Sequence, residues 1–256
     1  MPARTSLALA MLATALVTAR AAGPPCQLSM TADHWPPYLD AQSGPTPSGL
    51  DWDLLQAILQ EAHCTVQLLP ALPTARRQNE FQHGRIDLQL AASENTERRR
   101  YARFSLPYRH ETVGIYSLAS QAGRFAQLGS LDALAQRRLP LLAPKVGWYG
   151  PAYARVLPLL QQDGKLSTFL SDAQGVRMLA AGRADLILGD GLALRHAAQD
   201  LGVVLSPLPY TLRRAPVHLM LNRASTTPAQ LDALNAAIAR LERQGVLAQI
   251  RSRYGD

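Results

Sequence analysis

Gly84-Arg-Ile-Asp-Leu-Gln-Leu90 decides how this chain folds, because it occurs twice: Gly182-Arg-Ala-Asp-Leu-Ile-Leu188 repeats it about halfway further on. Each copy follows a helix-like segment and runs into a strand-like one. A glycine there stops a helix by taking a left-handed conformation, and the apolar run beyond it suits a buried parallel strand. The same device in the same context predicts two related lobes.

Working outward, strand-like and helix-like segments alternate. Gln27 to Thr31 reads as a strand, and Leu50 to Ala62 as a helix with Leu54, Leu55, Ile58 and Leu59 on one face. Thr65 to Leu69 (strand), Ala75 to His83 (helix) and Ile86 to Ala91 (strand) follow. Asn95 can cap a short helix over Thr96 to Tyr101, and Thr112 to Ala119 reads as a strand. The second half repeats the scheme with strands at Leu139 to Ala143, Leu166 to Phe169 and Ala184 to Leu188. Its helices are Ala152 to Gln161, Ala173 to Ala181 and Leu192 to Asp200. Two helices broken at Gly245 close the chain, Pro228 to Gln244 and Val246 to Tyr254. This β-α-β order predicts an α/β fold with mostly parallel sheets.

Ligands of open α/β sheets sit outside the carboxyl ends of the strands. The strand from Ile86 runs out at Ser93 to Arg98, and the strand from Ala184 runs out at Asp190. One lobe therefore offers a cation and the other an anion at equivalent places, which suits a zwitterion held between them. Asp190 could equally cap the helix starting near Leu192. Of the neighbouring arginines, Arg99, Arg100 and Arg103 read as a solvated face.

The start of the chain has a different character. Arg4, the apolar stretch Leu7 to Val17 and Ala19-Arg20-Ala21 have the order of a cleaved export signal, and the apolar stretch is shorter than the 18 or so residues of a membrane span. Pro25 precedes Cys26 where a lipoprotein would carry Gly or Ala, so a soluble exported protein is expected. The formal net charge is +7. Removing Arg4 and Arg20 lowers it, and so modest a balance in an exported protein does not call for nucleic acid.

The only cysteines are Cys26 and Cys64, each at the head of an apolar run. In an oxidising compartment they can form one disulfide if those runs are neighbouring parallel strands; two buried thiols are the alternative. The bridge would stabilise by roughly 4 kcal/mol in the chain-entropy model. No Cys-x-x-Cys is present and the six histidines show no ligand spacing, so no metal site and no cofactor are expected, and the histidines are placed at the surface.

Six motifs together resemble the family 3 extracellular solute-binding proteins, the periplasmic receptors of polar amino-acid ABC transporters. They are WPPY (Trp35 to Tyr38), GLDWDLLQAI (Gly49 to Ile58), HGRIDL (His83 to Leu88), TERRRYARFSLPY (Thr96 to Tyr108), AAGRADLILGD (Ala180 to Asp190) and LNAAIARLERQGVLAQIRSRYG (Leu234 to Gly255). The resemblance implies a two-lobed, periplasmic-binding-protein-like (type II) fold. Each lobe is a mostly parallel sheet flanked by helices, two crossing strands join them, and the lobes close on ligand. The implied organisation is a signal peptide over 1–21, a first lobe over 22–110 plus 217–256, and a second over 111–216.

The resemblance also implies roles. Arg98 pairs with a ligand carboxylate, helped by Ala91 and Ser93, and Asp190 meets the α-ammonium. Trp35 covers the ligand, Tyr38 lies in the same loop, and Trp148 and Tyr149 lie in a loop that points amides at the carboxylate. Many relatives carry Pro-Trp-x-Arg where this chain has Pro73-Thr74-Ala75-Arg76, so Thr74 stands where a pocket aromatic would. Glu94 either points outward or favours a ligand with a basic side chain. The expected partners are a small-molecule ligand and an ABC permease or a sensory membrane protein, with the chain a periplasmic monomer. A different implication is an exported enzyme similar to cyclohexadienyl dehydratases, with Glu94 or Asp190 as the general acid.

Overall fold

The computed structural model describes residues 26–42, 44, 46–147 and 149–255. The expected export signal over 1–21 and Trp148 lie outside the described residues. Apolar alternation gives β1 (Cys26–Thr31), followed by a small hairpin, β2 (His34–Trp35) and β3 (Leu39–Asp40), whose turn contains a cis Pro36–Pro37 bond. Helix α1 (Leu50–Glu61) buries the stripe Leu54, Leu55, Ile58 and Leu59. Next come β4 (Cys64–Leu69), α2 (Thr74–Gln82) and β5 (Leu88–Ala92). Both echo glycines lie just past helix ends with left-handed φ, 74° at Gly84 and 70° at Gly182, a conformation costly to residues with a Cβ.

Two strands are far longer than sequence predicts. β6 covers Ala102–Leu118 and β10 covers Leu205–Asn222, and they pair antiparallel along almost their whole length. Between them in sequence come α3 (Ala122–Phe125), α4 (Leu131–Gln136), β7 (Leu141–Pro144), α5 (Pro151–Gln162), β8 (Leu166–Phe169), α6 (Asp172–Ala180), β9 (Leu186–Asp190) and α7 (Gly191–Asp200). Helices α8 (Pro228–Arg243) and α9 (Val246–Arg253) end the fold, with Gly245 left-handed between them. Thr227 and Gln230 form a capping box at the start of α8.

The antiparallel pair β6 and β10 connects the two modules, and the first is not the mostly parallel sheet expected, since its β5 pairs antiparallel with β10, apart from the β1–β4 pair. β10 joins β5 on the first side, while β6 joins β9, and β9, β7 and β8 continue in parallel on the second. β1 and β4 form a separate parallel pair. Strand alternation gives the second module two apolar faces. Leu141 and Leu188 pack with Val156 and Leu160 on one, and Leu142 and Ile187 pack with Val176 and Leu194 on the other. The first core gathers Leu28, Leu54 and Ile58 with Val217, Leu234 and Leu247, so the chain's C-terminal end returns to the module it began in.

Cys26 lies opposite Cys64 in the β1–β4 register with Cα atoms 4.5 Å apart, and the two form the disulfide. Two surface expectations are corrected. His218 is buried, with Nδ1 2.7 Å from the Ser105 carbonyl, because it falls on the inward face of a strand that sequence did not delimit. Arg103 is not simply solvated: its Nη1 donates to the carbonyls of Arg223 (3.2 Å) and Thr226 (3.1 Å), holding the turn after β10.

Candidate functional site

The ends of β1, β5 and β9 converge on a cavity of about 670 Å³ between the modules. It is lined by Arg98, Ser93, Ala91, Thr74 and Trp35 from the first side and by Asp190 and Tyr149 from the second. The strand-end rule therefore brings together most of the residues singled out from sequence.

Arg98 opens a short 3-10 turn, Arg98–Arg100, rather than the expected helix; Asn95 Oδ1 caps it by accepting from the Arg98 amide at 2.8 Å. Arg98 Nη1 donates to the Ser93 carbonyl at 2.9 Å, which holds the guanidinium in place. That uses one of five N–H donors. Ser93 is buried, and its hydroxyl accepts from Arg213 Nη1 at 3.2 Å. Ala91 lies at the cavity with a left-handed φ of 51°, a conformation that non-glycine residues hold at a cost and that recurs at ligand sites. Its amide donates to the Tyr108 hydroxyl at 2.9 Å.

Asp190 takes both roles that sequence left open. It is the N-cap of α7, with Oδ1 accepting from the amides of Leu192 and Ala193, each at 3.0 Å, and it also lines the cavity. The same oxygen accepts from the Tyr38 hydroxyl at 2.6 Å. Tyr38 is only 1% exposed and does not line the cavity; it lies behind Asp190, stacked on the Arg109 guanidinium at 3.9 Å. Its hydroxyl is pushed far above the usual phenol range by burial and by the Asp190 carboxylate, so it stays a donor to Asp190.

Arg109 and Asp51 form a buried bidentate pair, Nε–Oδ1 2.5 Å and Nη2–Oδ2 3.0 Å. Such a pair is tolerated in a low-dielectric interior only when its hydrogen bonds are satisfied. Asp51, Arg109, Tyr38 and Asp190 thus run as a chain of contacts from α1 to the cap of α7.

Trp35 donates from Nε1 to Asp172 Oδ2 at 3.1 Å, and its ring lies 4.5 Å from that of Tyr38. Tyr38–Asp190 and Trp35–Asp172 both bridge the first module to the second. Tyr149 donates to the Val146 carbonyl at 2.9 Å and stacks edge-on with Tyr153. Glu94 is exposed and pairs with Arg99 at 2.9 Å, outside the cavity, so it points outward.

Sequence reading missed four groups. Glu111 lines the cavity from β6 and is raised to about 7, chiefly by burial and then by Asp190, against the opposing pull of Arg109 and Arg213. Asp172, at the first turn of α6, is raised to about 6 by burial, while its bond from Trp35 works the other way. Gln89 also lines the cavity, and its amide nitrogen is buried without a hydrogen-bond partner among the described residues. Arg213 reaches the site from β10 and lies 3.9 Å from Glu111. The strand expected from sequence begins only at Thr112; in the structure β6 continues back through Glu111 and brings it to the cavity.

A cleft between two α/β modules, crossed by two long strands and lined by an arginine on one wall and carboxylates on the other, defines a solute-capturing receptor fold. The chain belongs to the bacterial extracellular solute-binding proteins, family 3, whose model matches residues 29–256. No curated protein matches the sequence. Among solved structures it is similar to a histidine kinase sensor domain with similarity to periplasmic binding proteins (TM-score 0.72, 17% identity, 90% of this chain and 95% of that one). It is also similar to an ancestral amino acid-binding protein described as a precursor of cyclohexadienyl dehydratase (TM-score 0.70, 18%, 90% and 94%). A third is an amino acid ABC transporter substrate-binding protein from Streptococcus pneumoniae bound to L-arginine (TM-score 0.70, 18%, 89% and 94%). At these identities the likeness concerns the fold. No helix among the described residues is long and apolar enough to cross a membrane.

Proposed function

We propose that the protein is an exported, periplasmic receptor that captures a small amino acid between its lobes, the first being 22–110 plus 217–256 and the second 111–216. The observation that carries this reading is the cavity itself: Arg98 lies on one wall and Asp190 on the other. In this reading the ligand carboxylate takes the donors of Arg98 that remain beside its bond to Ser93, since a guanidinium fork matches a carboxylate. The α-ammonium meets Asp190, Trp35 and Tyr149 cover the apolar part, and Thr74 and Ser93 add hydroxyls.

Each hydrogen bond to a charged group contributes about 1.5–3 kcal/mol. A few of them, with ring contacts, reach the roughly 8 kcal/mol of a micromolar complex. Delivery to an ABC permease and signalling to a sensory partner both need only this capture step; the family and the arginine-bound neighbour support the first, the sensor-domain neighbour the second.

A thermal-shift screen of the amino acids tests the reading, since a ligand that binds only the folded state raises its stability as ln(1 + [L]/Kd). At least one amino acid should shift the midpoint in the wild type and fail to do so in Arg98→Ala. Unchanged affinity in that variant would remove the central claim.

A further inference from the structure

Ser93 is held from both sides of the cleft. It follows β5 and is buried. Its carbonyl accepts from Arg98 Nη1 at 2.9 Å, on its own module. Its hydroxyl accepts from Arg213 Nη1 at 3.2 Å, from β10. Arg213 pairs in register with Val113 of β6, and Val113 pairs with Asp190 of β9, so this arginine stands on the second module's side. Two guanidiniums from opposite modules thus meet on one serine, although like charges repel. Burial acts first against the Arg213 cation; Glu111 supports it and Arg98 opposes it.

Glu111 competes for the same nitrogen. It lies opposite Ala215 in the β6–β10 register, so Arg213, two residues along, shares its face of the pair. Arg213 Nη1 is 3.9 Å from Glu111 Oε1, against 3.2 Å from the Ser93 hydroxyl. After burial, Asp190 and Asp51 discourage the ionisation of Glu111, while Arg109 and Arg213 favour it. Tyr149 faces it as a hydroxyl that burial keeps protonated. Glu111 is therefore neutral up to about pH 7, and a neutral acid leaves Arg213 to Ser93. Once ionised it attracts Arg213 across a partly desolvated gap, where opposite charges interact more strongly than in water.

Resting on the amino-acid reading above, we propose that Arg213 is a positioning residue, which crosses the cleft to hold Ser93 and, through it, Arg98, and that Glu111 draws it away. The carboxylate end of the site is complete while Glu111 is neutral and loosens once Glu111 is charged. Affinity for an α-carboxylate therefore falls as pH rises through about 7. Other titratable groups line the same cavity. They are Asp172, raised to about 6, His34, which is 3.1 Å from Asp40, His196 and Asp200, 3.5 Å apart, and Asp33, paired with Arg77 at 2.6 Å. A Glu111 variant separates their part in the pH dependence from this one.

Two measurements test this. The first needs no ligand: carbon NMR titration of the Glu111 carboxyl, assigned by its loss in Glu111→Gln. Ser93→Ala frees Arg213, so the Glu111 midpoint should fall by about half a pH unit or more, and Arg213→Met should raise it. A midpoint unmoved by Ser93→Ala would overturn the competition. The second is calorimetric titration with L-glutamine and L-arginine, probes that share an α-carboxylate and differ in side-chain charge. Arg213→Met should weaken both by about tenfold near pH 6, the low end for a hydrogen bond to a charged group, and by less than about twofold near pH 8. Arg213→Lys should recover most of that loss. Equal weakening at both pH values would make Arg213 merely structural and overturn its positioning role. In Glu111→Gln the fall in affinity with pH should disappear; its persistence would assign the fall to Asp172 or the histidines and overturn the proposal. If neither probe binds, the amino-acid reading falls, and the Ser93→Ala midpoint by itself upholds or overturns the competition for Arg213.

Discussion

Glu111 shows what one residue's surroundings can do to its charge. Its carboxyl is raised from 4.5 to about 7 by burial first and by Asp190 next, with Asp51 adding and Arg109 and Arg213 opposing. The folded protein therefore keeps this proton up to about pH 7, whereas the unfolded chain releases it near 4.5. Between those values unfolding releases a proton, so this group makes the ligand-free protein less stable as pH rises from 4.5 to 7, with no further change above. At about 1.4 kcal/mol per pKa unit the effect is on the order of 3 kcal/mol. Asp172, raised to about 6, acts in the same direction at lower pH. Glu111→Gln should consequently gain stability over the wild type at pH 8 and little at pH 4.5, as read from urea midpoints; a difference independent of pH would contradict the assignment. Nothing in Arg109-His110-Glu111-Thr112 marks the glutamate as inward-facing. Arg98 and Asp190, by contrast, were legible because they fall at strand ends, and strand ends depend on local pattern alone.

Among the elements, the β1–β4 pair was the most legible. Both strands are short apolar runs headed by cysteine, and parallel pairing in register sets Cys26 beside Cys64. Replacing both cysteines by serine should lower the unfolding free energy by roughly 4 kcal/mol, the loop-closure value for this separation, measurable by denaturant titration against the oxidised wild type. A loss below about 1 kcal/mol would show that the unfolded chain is barely constrained by the bridge. β6 and β10 were the least legible. Pro107 and Pro216 lie within them and several register shifts interrupt the ladder, so the alternation that reveals a strand is broken where the chain passes between modules. Their polar stretches carry no strand pattern of their own, and only the partner strand supplies the backbone hydrogen bonds that keep them extended.

For the molecule as a whole, Trp35–Asp172 and Tyr38–Asp190 are bonds between modules, and separating the modules must break both. If ligand capture couples to that movement, Trp35 emission should change on binding, with a large part of the change lost in Trp35→Phe while binding persists. Full retention of the signal in that variant would place the reporter at Trp52 or Trp148. The Asp51–Arg109–Tyr38–Asp190 chain lies beneath the same contact and joins the first module's helix to the cap of α7. Residues 51, 109 and 190 carry no local sign of belonging together.

The repeated Gly-Arg-x-Asp-Leu-x-Leu device, the α/β alternation, the strand-end arginine and aspartate and the cysteine pair could all be read directly, because each depends on neighbours a few residues away or on a simple rule of sheet topology. The inward turn of Glu111, the withdrawal of Tyr38 behind Asp190, the bond from the Ala91 amide to Tyr108 and the outward pairing of Glu94 could not. Each depends on which groups from distant segments arrive first at a given atom, and that competition exists only once the two modules and their crossing strands have packed.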